Sequence, residues 1–281
     1  MLESWSISRR VSSGFVLVTL IIIGLSVFSH RSVSALGNGY LEYRSTAKQT
    51  ISAASYMEDI FEARFAALRY SQSPSDKWRQ DVNDHILAVT QDRALRSAFQ
   101  DSPQHLRDVE RLVAMSEQFR LNFTEMSNYV AEANTARADF SIRTAAFDNA
   151  INDIFSATIQ TSTEAAITAA GRSLQTAMGA ILRGNQYLTT LDPADLTAFT
   201  SEFNAFHQNL RRLEALNNQD VILAKIAALK QDLDGYTAVL ETYAAAQERA
   251  AGIQDNTLYA LGTGIQHGLD SIAAEIVGRQ N

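Results

Sequence analysis

The stretch FEARFAALRYSQSPSD, Phe61 to Asp76, carries a helical repeat into a proline corner. Ile60, Arg64 and Leu68 follow at four-residue steps beside Met57 and Phe61, which is the spacing of one face of an α-helix. Pro74 ends the run, and Ser73 or Ser75 can cap the helix that follows. Arg64 is the anomaly on this face. A buried charge without a counter-charge is costly, so this guanidinium is expected to be paired, solvated or waiting for an anion.

The same grammar extends in both directions. Only Pro74, Pro103 and Pro193 interrupt 281 residues rich in good helix formers, and the composition, 46% hydrophobic, is enough to bury a core. An all-α fold follows. The net charge of −7, with no Lys/Arg cluster to track phosphates, argues against nucleic acid. The absence of cysteine removes disulfides, thiolate chemistry and thiolate zinc sites.

Arg9 and Arg10 precede VSSGFVLVTLIIIGLSVF, Val11 to Phe28, eighteen residues without a charge, and His30 and Arg31 close the run. This length just spans a bilayer. With only Glu3 opposing the paired arginines, the N-terminus is expected in the cytoplasm and everything after Arg31 outside, in the periplasm of a bacterium. A cleaved signal peptide is the competing reading, with Val33 and Ala35 as small residues at a cleavage site. The uncleaved anchor is preferred because the apolar run exceeds an ordinary signal core and Arg31 intervenes before Ala35.

Six helices are expected. The first runs from the bilayer to about Gln72. The second carries Trp78, Val82, Ile86 and Val89 and ends before DSPQ. The third starts at Pro103 with Ser102 as N-cap, and its stripe is Leu112, Met115, Phe119, Phe123, Met126 and Val130. A break is expected at TSTE, Thr161 to Glu164, which has the form of a capping box. Turns at Pro193 and at Asn217–Asp220 open the fifth and sixth. Heights counted along these helices give an N-terminal transmembrane helix within residues 1–31, then a helical region outside the membrane over 32–281. These helices, over 32–281, form two stacked four-helix bundles sharing the long third and sixth helices. One takes about 32–128 with 240–281, the other about 129–239.

A basic stub, a membrane helix beginning SSGFVLVTLIIIG, the long helix YRSTAKQTISAASYMEDIFEARFAAL and two helix-Pro-helix corners resemble the helical bimodular sensor region of bacterial methyl-accepting chemotaxis proteins. The resemblance implies small organic acids bound inside one or both bundles of a periplasmic homodimer, with signalling through helix displacement. It also implies a second membrane helix, a HAMP linker and a methylated cytoplasmic hairpin beyond EIVGRQN. Sensor histidine kinases use the same region, so a kinase output is an alternative, as is a membrane-anchored helical adaptor that binds no small molecule.

No enzyme signature is found, so no catalytic residue, cofactor or metal site is expected. LGTGIQHG, Leu261 to Gly268, lacks the strand and spacing of a dinucleotide loop and reads as close helix packing. The five histidines show no metal spacing, and Glu58 and Glu62 suit an exposed helix face. Arg64 lies 33 residues after Arg31, and Arg249 lies 32 residues before Asn281. His85, Arg120 and Asn122 reach a comparable height. With no obvious carboxylate among them, Arg64, His85, Arg120, Asn122 and Arg249 form the expected anion site, suited to a dicarboxylate. Arg183, sharing a face with Thr176, Gly179, Ala180 and Tyr187, marks a second, weaker site with Arg137, Asn204 and Lys230. The competing readings let Arg64 reach solvent or pair with Glu62, Glu117 or Glu248, and leave Arg183 exposed beside a close helix contact.

Overall fold

The computed structural model describes residues 7–100 and 102–278, so Glu3 and Asn281 lie outside the described residues. Helices α1 (Ile7–Gln72), α2 (Asp76–Gln91), α3 (Arg93–Ala98), α4 (Pro103–Thr161), α5 (Glu164–Thr190), α6 (Pro193–Leu216), α7 (Asp220–Gly252) and α8 (Tyr259–Gly278) follow in order. A single π-helical turn, Ile253–Leu258, joins α7 to α8. No strand occurs among the described residues, and the all-α class stands.

A seven-residue repeat decides which side chains are buried. On α4, Leu112, Phe119, Met126, Ala133, Phe140, Phe147 and Ile154 succeed one another at that interval, and each is at most 4% exposed. Ala166, Ser173, Ala180 and Tyr187 are buried at the same interval on α5, as are Phe199, Phe206 and Leu213 on α6. This is the spacing of helices packed with their axes nearly aligned, side chains of one filling the gaps of the next. On α1 the buried line steps through Ala53, Tyr56, Ile60, Ala63, Ala67 and Tyr70. The expected stripe is therefore corrected: Phe61 and Leu68 are exposed, and Arg64 is half-buried beside the line. Steps of four alone drift off a seam that alternates three and four.

The corners obey local chemistry. The Trp78 amide donates to Ser75 Oγ at 3.4 Å, which makes Ser75 the cap of α2. Asp92 splits the expected second helix by accepting the Ala94 amide at 2.6 Å, and the short α3 results. At TSTE the cap is Thr163, not Thr161, because α4 continues through Thr161. Leu191, the C-cap of α5, adopts φ 56°, and Asp192 then caps α6 ahead of Pro193.

The helices gather into two compact units. The first comprises the chain up to Phe65, Asp81–Glu117 and the chain from Gly262 onward. Within it Tyr56 meets Ser116 Oγ at 2.8 Å. His105, 2% exposed, holds Ser102 Oγ at 2.8 Å through Nδ1 and Glu275 Oε2 at 2.6 Å through Nε2, tying the start of α4 to the last turns of α8. From Leu20 to Phe28 the large apolar side chains of α1 are exposed, and α1 is long and apolar enough to cross a membrane.

The second unit comprises Ala66–Gln80 and Gln118–Leu261. Its core is aromatic: Phe147 lies 5.0 Å from Phe206 and 5.3 Å from Tyr236, and Phe140 lies 4.9 Å from Tyr236, between ring centroids. Small residues of α5 make room for it. A Cβ on Gly184 would collide with Phe140 Cζ. Since Phe140 is fully buried and cannot retreat, Gly184→Ala is expected to destabilise the unit by about 1–3 kcal/mol, read as a lowered thermal midpoint.

Burial pushes the Tyr56 and Tyr236 hydroxyls up to about 12, against hydrogen bonds from Ser116 and Thr144 that pull the other way. An unfolded tyrosine ionises near pH 10, so folding favours the neutral form. The stabilisation is whole below about pH 10 and is lost as pH rises toward 12, at roughly 2–3 kcal/mol per tyrosine. Unfolding followed by circular dichroism between pH 9 and 12 is expected to show this loss, and Tyr236→Phe to reduce its slope.

Candidate functional site

The candidate residues divide between the units. Arg64 and His85 lie in the first; Arg120, Asn122 and Arg249 lie in the second.

In the first unit Arg64 is seated by a missing side chain. A Cβ built on Gly262 of α8 would fall 2.6 Å from Arg64 Nε and 2.8 Å from its Cδ, so only glycine lets the arginine lie across α8. Arg64 Nη1 then donates to Gln266 Oε1 at 3.0 Å. Gly264 and Gly268 serve the same helix: added Cβ atoms would stand 2.6 Å from Met115 Cε and from Leu112 Cδ2. The LGTGIQHG segment thus packs as its spacing suggests. His85 is corrected in its surroundings. Its Nδ1 lies 2.9 Å from Asp59 Oδ1, so a carboxylate stands where none was expected, and Asp59 was missed because it lies one position from the buried Ile60.

In the second unit Asn122 donates to the Gln118 carbonyl of its own helix at 2.7 Å, which explains its half-exposed place beside Phe123. The Arg249 guanidinium stacks over the Tyr129 ring, 5.4 Å from its centroid. Arg120 is half-buried.

The second group is redistributed. Arg183 is exposed, hydrogen-bonded to Gln186 at 3.0 Å and ion-paired with Asp195 at 3.4 Å across the α5–α6 corner. It does not share the buried face of Ala180 and Tyr187. Tyr187 packs edge-on against Tyr243 at 6.1 Å, and burial raises its pKa. Arg137 is exposed. Asn204 and Lys230, by contrast, line one groove of 640 Å³ between α6 and α7, together with His207, Gln208, Arg211 and Gln231. Lys230 Nζ also donates to Glu214 Oε2 at 2.5 Å. The groove's volume suits a small molecule, and its cations suit an anion. Asn204, Gln208 and Arg211 recur at steps of four and three, a polar stripe that the sequence displays but that was not read.

Among the described residues no group of three or more His, Cys, Asp or Glu is placed to hold a metal ion. A family model described as a helical bimodular sensor domain matches residues 39–279. No curated protein matches the chain.

Proposed function

This chain belongs to the helical bimodular sensor domain family, a sensor domain of transmembrane receptors that include chemoreceptors and histidine kinases, and on that footing we propose that it is the ligand-sensing part of a chemoreceptor. It binds a small organic acid in the bacterial periplasm, is held to the inner membrane by the apolar part of α1, and signals by displacement of a helix. The observation that carries the ligand class is Arg64. Its guanidinium joins α1 to α8, and its partner there is the neutral amide of Gln266. A carboxylate forms the stronger, charge-assisted and bidentate bond, so an organic acid competes well for this place. Binding there alters the link between the two helices, which supports displacement of α8 along its axis.

The groove of Asn204, His207, Arg211 and Lys230 supports a second anion site in the other unit. A homodimer along α1 is supported by Leu36, Tyr40, Tyr43, Ile51, Phe61 and Leu68, all at least 48% exposed. Such a line of large apolar groups outside the membrane segment favours a partner surface.

Calorimetry with a panel of mono- and dicarboxylates tests the reading. At least one acid is expected to bind, with Arg64→Ala weakening it tenfold or more and leaving the helical circular dichroism unchanged. Unaltered affinity in Arg64→Ala together with loss in Arg211→Ala would move the site to the groove. No binding by any acid would overturn the ligand class.

A further inference from the structure

The last helical stretch carries a fault in its repeat. Leu229, Tyr236, Tyr243 and Ala250 are buried at intervals of seven, and so are Leu258, Ile265 and Ile272, but eight residues separate Ala250 from Leu258. The π-helical turn Ile253–Leu258 fills that gap and absorbs the surplus residue. Its Asp255 and Asn256 are exposed, and a Cβ on Gly252, immediately before it, would meet nothing within 4 Å. The surplus is therefore carried on the outer side of the turn, at Asp255 and Asn256, while Leu258 keeps its place in the seam.

We propose that this turn is a register switch for α8. Conversion of the π-turn to regular α-helix turns everything after it by about 100° and advances it by ~1.5 Å, a movement of the size by which helices switch in signalling proteins. In the shifted register each residue takes the place of its successor. Thr257, Gly264 and Ser271 then occupy the seam positions now held by Leu258, Ile265 and Ile272. These residues bury less apolar surface, and Leu261, Thr263 and His267 then take the close-packed places of Gly262, Gly264 and Gly268, so the π-turn form is the resting state and the shifted form a minor one, entered only as α8 draws back from Arg64, Met115 and Leu112. The device works whatever ligand the domain senses, so its failure and that of the organic-acid reading are separate results.

The chain has no cysteine, which allows a direct test by disulfide cross-linking of the full chain in lipid vesicles. Met115→Cys with Gly264→Cys reports the resting register, because Met115 packs against Gly264. Met115→Cys with Thr263→Cys reports the shifted one. Deletion of Asn256 removes the surplus residue and fixes the resting register in regular helix. The 115/263 pair is expected to cross-link in the intact chain more slowly than 115/264, and the deletion to slow it at least tenfold while leaving 115/264 unchanged. Absence of the 115/263 cross-link in the intact chain, or its persistence after the deletion, would overturn the switch. So would loss of the 115/264 cross-link on deletion, since the resting register would then require the residue.

Discussion

The interval of seven between buried side chains is the constraint on which the rest of this structure depends. Seven residues make slightly less than two full turns of a straight helix, so a seam held at that interval stays facing its neighbours along a great length. On α4 the seam runs unbroken from Leu112 to Ile154, which lets one helix serve two compact units. The helices need no strong local signal once the seam is set, because burial of the line supplies most of their stability.

Side-chain size then differentiates the seam. Alanines dominate on α5, aromatics on α6, and α4 mixes both; Gly184 admits Phe140 as Gly262 admits Arg64. The two glycines solve the same steric problem with different chemistry. In one case a ring fills the space and the result is core. In the other a guanidinium fills it, and the result is a polar link between α1 and α8.

Much of this was legible in the residues. The proline corners and a serine cap beside Pro74, which falls at Ser75, follow from short-range rules, and the small residues of LGTGIQHG announce close packing though not its partners. The place of Arg64 was misread because Ile60, Arg64 and Leu68 form a plausible stripe at steps of four, whereas the seam alternates three and four through Ala63 and Ala67. The Asp59 partner of His85 and the Gln266 partner of Arg64 depend on which helices meet and at what height, and neither is encoded in the local pattern. The π-turn stands between these cases. Its signature, a single interval of eight in a line of sevens, is present in the sequence but emerges only when the burial of each position is known.

The central claim is that an organic acid enters between α1 and α8 at Arg64 and alters the hold of one helix on the other. Hydrogen exchange of the backbone amides, compared between the free chain and the chain saturated with a bound acid, tests it most directly. The account predicts that protection changes in two short segments of the first unit, 61–65 on α1 and 262–268 on α8. Unchanged exchange in both segments while the acid is bound would contradict it.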